Sequence, residues 1–98
     1  MWDGRLKPDG EWDELPASSD LRELFRYGKA GRVRIYNLRV VSNGTELWVV
    51  ASTAGRVLSS TKKATFSNPD EMAVVLEDVE RTLAVGGWRR LSGQCWIR

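Results

Sequence analysis

A chain of 98 residues and 11.1 kDa, 42% apolar and 29% charged, has room for one hydrophobic core and lies in the ordinary globular range. That excludes a multi-domain enzyme, wholesale disorder and a fibrous repeat. With no histidine and one cysteine, Cys95, it lacks the commonest general base and zinc ligand, and it can form neither an internal disulfide nor a thiolate cluster; its formal charge of +2 is too small to name a partner.

Residues 1–17 read as an acidic, Trp-containing N-terminal arm ahead of a single small α+β domain over 18–98. Gly4, Pro8, Gly10 and Pro16 interrupt the arm, and neither a period of two nor one of 3.6 runs through it. Trp2 and Trp12 place the arm against the domain or a partner, because a solvated tail seldom carries two indoles. The opening Met1-Trp2-Asp3-Gly4 lacks the basic-then-apolar layout of a secretory signal. The longest apolar run, Leu47 to Ala51, falls far short of the ~20 residues that a membrane helix needs. The expected location is the cytoplasm, with no membrane contact.

From Ser19 to Gly28, the capping-box spacing of Asp20 and Glu23, the Leu21/Leu24/Phe25 stripe and the glycine stop predict a short first helix. Between Arg32 and Phe66 the residues turn β-branched and aromatic, punctuated by turns. Asn43-Gly44 marks a hairpin. With these two as the loop, Val40 faces Leu47, Leu38 faces Val49 and Tyr36 faces Ala51 on an apolar side, while Arg39 faces Trp48 and Asn37 faces Val50 on a mixed side. Arg34 then falls on the apolar side, a break that a bulge near Tyr36 would repair. After a second turn at Ala54-Gly55, a third strand carries Leu58, Ala64 and Phe66 on one parity and Ser59, Thr61, Lys63 and Thr65 on the other.

Asn68 as N-cap, Pro69, Asp70 and Glu71 open a second helix that Gly86-Gly87 close. Met72, Val75, Leu76, Val79 and Leu83 form its core stripe, with Glu77, Asp78 and Glu80 on the polar face. Trp88 to Arg98 reads as one further strand or as a hairpin about Ser92-Gly93. The predicted order is α-β-β-β-α-β: a three- to five-stranded antiparallel meander with two helices packed on one face.

Charge is segregated along the chain. Residues 1–21 carry two basic and six acidic groups, and 22–42 carry six and one; 68–86 carry one and five, while 87–98 carry three basic groups and no acid. On the expected fold the strands are cationic and the second helix is anionic, so the molecule is a dipole. That polarity suits DNA or RNA on the sheet, with Arg32, Arg34 and Arg39 as phosphate or base contacts, Trp48 as a stacking platform and Lys63 extending the surface. Arg39 beside Trp48 has a bland reading too, an ordinary cross-strand cation–π pair.

The order helix, three strands, helix resembles that of double-stranded RNA-binding domains. The lysine-rich start of their last helix has no counterpart, since Lys62-Lys63-Ala64 precede the helix and acids open it. A three-stranded sheet followed by a helix is also similar to the AP2-type and integrase arm-type DNA-binding domains, which read a groove with sheet residues. Ala64 to Ala73 resembles the end of their third strand and helix start, but their first-strand arginine and glycine pattern is not reproduced.

Nothing points to catalysis. Asp70 and Glu71 cap a helix, Gly28 to Gly31 lacks the Lys-Ser/Thr ending of a phosphate loop, and Cys95 has no histidine beside it. No cofactor or metal is expected. The principal expectation is a non-catalytic nucleic-acid-binding module. The alternative is a protein-interaction module or homodimer that engages a host or self protein through Trp2, Trp12, Trp88 and Trp96, as a phage- or mobile-element-encoded protein would, or through an edge strand.

Overall fold

The computed structural model describes residues 20–93, 95 and 96. Trp2, Trp12 and the arm boundary at 17 therefore lie outside the described residues. The elements are β1 (Arg22–Lys29), β2 (Arg32–Val41), β3 (Gly44–Thr53), β4 (Arg56–Phe66), α1 (Pro69–Val85) and β5 (Arg89–Gly93). The five strands form one antiparallel sheet in the order β4-β3-β2-β1-β5, with α1 on one face. The class is α+β, as expected; among the described residues there is one helix rather than two.

The expected first helix is strand β1. Its helix-like spacing has a local cause: the register of β1 on β2 shifts between Glu23 and Phe25, and this bulge lets the adjacent Leu24 and Phe25 both be buried. A bulge in a strand thus imitates the i, i+3, i+4 stripe of a short helix. So short a helix is marginal by itself, and Phe25 and Tyr27 gain more by pointing together at the core, 5.6 Å apart edge to face.

Two turns pair alanine and glycine at positive φ, Ala30-Gly31 (49° and 81°) and Ala54-Gly55 (49° and 77°), as two-residue type I′ hairpins require. In the β2–β3 hairpin, Val41 faces Gly44, so Ser42 and Asn43 form the loop. Leu38 therefore faces Leu47, Tyr36 faces Val49 and Arg39 faces Glu46, a slip of two from the expected register. A slip of two preserves the faces, because side chains alternate with period two. Gly44 instead serves close packing: at φ 154°, a Cβ there would lie 2.3 Å from the Phe66 carbonyl oxygen. The expected bulge near Tyr36 is absent, since β2 pairs with β3 without a register shift. Two bulges in β4 overturn the parity read from sequence: Ser59 and Thr61 share the helix side with Ala64 and Phe66, and Leu58 is exposed.

The core between sheet and helix holds Phe25, Tyr27, Tyr36, Leu47, Val49, Phe66, Leu76 and Leu83, with Met72, Val75 and Val79 packed against it. The helix follows its expected signals. Asn68 Oδ1 accepts from the Glu71 N–H at 2.8 Å. At the other end Trp88 N–H donates to the Leu83 carbonyl and Gly87 N–H to the Ala84 carbonyl, a Schellman closure with Gly87 at φ 85°. Glu80 departs from expectation: it is fully buried rather than on the polar face. One of its oxygens accepts from the Tyr27 hydroxyl at 2.7 Å, the other from the Trp96 backbone N–H. Burial, then the bond to Glu80, pushes the Tyr27 phenol well above its ordinary range.

Among the described C-terminal residues one strand forms. β5 pairs with β1, and Gly93 packs on the Phe25 backbone. The sheet edges are β4 and β5. Among the described residues no helix is long and apolar enough to cross a membrane.

Candidate functional site

The five residues expected to carry nucleic acid divide between two places. Arg39 and Trp48 lie on the sheet face opposite α1, gathered with Lys62 around Glu46. This carboxylate accepts from Trp48 Nε1 at 3.0 Å and from Arg39 at 3.3 Å, and lies 3.6 Å from Lys62 Nζ. The indole hydrogen bond, with Lys62 and Arg39, holds the Glu46 carboxyl below the usual carboxylate range. Trp48 is only 5% exposed, so its ring offers no open stacking surface. Arg39 spends its charge inside the protein. Lys63 sits at the β4 bulge and is exposed.

Arg32 and Arg34 stand at the other end of β2 and share the helix side with Tyr36. A charged Arg34 on an apolar parity looked like an error of register; the fold accommodates it by seating its guanidinium over the Trp88 ring, 4.5 Å from the centroid. Trp88 is held there by the Schellman closure that ends α1. Lys29 Nζ donates to the Gly86 carbonyl and ties the β1–β2 turn to the same helix end. Between these parts lies a cleft of about 290 Å³, lined chiefly by Arg32, Arg34, Ala51, Thr53, Leu58 and Trp88. No carboxylate lines it among the described residues.

The register assembles further cations around this cleft. Lys29 faces Arg32, Arg32 faces Thr53, and Thr53 faces Arg56, so one row across four strands carries three positive charges. Arg89 pairs with Gly28, which alternates with the helix-side Tyr27 and Lys29, so Arg89 stands on the opposite face of the sheet and not at the cleft. Arg32 and Arg56 are exposed, and neither has a carboxylate partner among the described residues. A stacked guanidinium beside these cations is pre-organised to take a phosphate or carboxylate in bidentate fashion, since its plane is fixed before the anion arrives.

Sequence reasoning placed Arg32 and Arg34 among the contacts but missed Arg56 and the part played by Trp88. The signal for Trp88 was Arg34 itself, a cation on a buried parity that needs an aromatic or acidic partner. Arg56 becomes a neighbour only through strand pairing. Of the tryptophans assigned to a protein interface, Trp88 and Trp96 are partly buried against the core, and Trp2 and Trp12 lie outside the described residues. Among the described residues no three His, Cys, Asp or Glu side chains cluster as a metal site would require. Comparison with family models, curated proteins and solved structures finds no match for this chain.

Proposed function

We propose that this domain is a non-catalytic module that binds DNA or RNA, and that the contact surface is the cationic end of the sheet around Arg32, Arg34, Arg56 and Trp88. The observation that carries this reading is Arg34 stacked on Trp88 beside Arg32, in a cleft with no carboxylate among its described lining residues. A cationic row with no carboxylate partner among the described residues is costly to keep on a small domain without a polyanionic partner, because like charges repel across neighbouring strands. Phosphates relieve that repulsion and release counterions as they bind. The expected contacts at Arg39 and Trp48 drop out of the reading, because Glu46 already engages both.

The test is fluorescence anisotropy of labelled single-stranded and duplex DNA and RNA, titrated with the full chain from low to moderate salt. For three phosphate contacts the logarithmic slope with salt should be about 2 on single strands and nearer 3 on a duplex. Arg34→Glu and Arg32→Glu should each weaken binding about tenfold or more, the loss of one charge-assisted contact. Arg39→Glu should have a much smaller effect. No binding at low salt, or binding indifferent to Arg32 and Arg34, would refute the reading and direct the search to a protein partner.

A further inference from the structure

Phosphate-binding cations account for only part of the cleft. Ala51, Leu58 and Trp88 also line it, and Leu58 is 39% exposed, an apolar side chain left open in a cationic hollow. Phosphates gain nothing from such a wall, because an apolar surface strips them of water without replacing its hydrogen bonds. The placement of the walls follows from the register. Arg34 of β2 faces Ala51 of β3, and Ala51 faces Ser59 of β4, next to Leu58. The backbones of Arg34 and Leu58 are thus two strands apart, roughly 10 Å at the usual spacing, with the Ala51 methyl group as the floor between them. Arg34, its guanidinium 4.5 Å from the centroid of the Trp88 ring, makes with that indole one wall of the slot, and Leu58 makes the other.

We propose that this cleft holds one unpaired base of a single-stranded nucleic acid, slotted between the Arg34–Trp88 pair and Leu58, with the neighbouring phosphates on Arg32 and Arg56. The inference rests on the nucleic-acid reading above and adds the form of the ligand. A base has apolar faces and hangs from a charged backbone, which matches apolar walls beneath a cationic rim. Guanidinium planes and indole rings are also the surfaces on which unstacked bases lie. A volume of about 290 Å³ stands at the small end of ligand pockets, enough for one base and too little for a stretch of duplex. A duplex keeps its bases stacked and paired and would have to extrude one to fill the slot, whereas a single strand offers it directly.

The test compares oligothymidylate (DNA) and oligouridylate (RNA) with abasic strands of the same backbone and length, by competition anisotropy on the full chain. The paired strands carry equal charge and differ only in their bases. The strand with bases should bind at least about fivefold tighter, the low end for one base stacked on protein. That ratio should persist as salt rises, because stacking releases no counterions. Equal binding of base-bearing and abasic strands, in both DNA and RNA, overturns the inference and leaves the phosphate contacts standing; no binding of any strand removes both. The second arm is Leu58→Ser, at a position already exposed, with unchanged circular dichroism as the check on folding. It should cut the ratio at least about twofold, the loss of one apolar contact, while the abasic strand binds as before. A ratio unaltered in Leu58→Ser would put the base elsewhere and likewise overturn the inference.

Discussion

Replacing Glu80 by alanine should bring this domain close to its folding threshold, and the size of the loss follows from two hydrogen bonds. The carboxylate is fully buried and each oxygen accepts one donor, the Tyr27 hydroxyl and the Trp96 backbone N–H. Glu80→Ala orphans both donors at about 1–3 kcal/mol each, so about 2–6 kcal/mol in all, set against a total stability of about 5–15 kcal/mol. Tyr27→Phe leaves one carboxylate oxygen without its donor and should cost about 1–3 kcal/mol. Because the Tyr27–Glu80 bond is lost in either single variant, the double variant should cost less than the sum by about 0.5–3 kcal/mol. Urea unfolding measures all four corners of this cycle, and m should stay constant if only stability changes. Amide exchange at Trp96 should also quicken in Glu80→Ala. Additivity within about 0.3–0.5 kcal/mol, or a near-neutral Glu80→Ala, would refute the dyad as the joint between helix, β1 and the segment after β5.

Two glycines at positive φ should respond very differently to alanine. Gly31→Ala has only backbone strain to bear, about 1–2 kcal/mol, because nothing lies within 4 Å of its Cβ; Gly93→Ala adds a clash at 2.2 Å with the Leu24 carbonyl oxygen and 2.4 Å with Phe25 Cα, about 1–3 kcal/mol more. Equal drops in melting temperature would contradict this packing of β5 on β1. For pH, the carboxyl of Glu46 titrates lower in the folded protein than in the unfolded chain. Its contribution is therefore complete above the ordinary carboxylate pKa of about 4.3 and lost as pH falls through the folded value. Glu46→Gln should flatten the acid limb of stability against pH, and an unaltered limb would show that Trp48, Arg39 and Lys62 do not depend on the charge.

What could be read from the chain before its structure was the part that local chemistry decides. The helix from Pro69 to Val85 was legible at both ends, because Asn68, Pro69 and the glycine pair act within one turn of themselves. The two faces of the β2–β3 hairpin were legible although its register was not: Asn43-Gly44 located the turn, but the place of Gly44 was set by the Phe66 carbonyl from another strand. β1 was misread because a bulge spaced Leu24 and Phe25 as a helix would. Glu80 was misread because a carboxylate in an acidic run looks solvated until Tyr27, 53 positions away, supplies its donor. For the candidate site, Arg32 and Arg34 were visible as cations on a strand; Arg56 joins them only through pairing.

The sheet is a run of consecutive hairpins with one exception, the union of β1 with β5, which closes a loop of more than sixty residues through α1. Neighbouring hairpins close small loops and form early, whereas this union bears the largest closure entropy and should form late. Trp88 arrives only with that step, while Arg32, Arg34 and Arg56 are brought together by the hairpins. An anion held between the two groups would therefore discriminate between a finished domain and one that lacks its fifth strand. Its binding energy would add to native stability as RT ln(1 + [L]/Kd), making occupancy of the cleft a gauge of whether folding has reached completion.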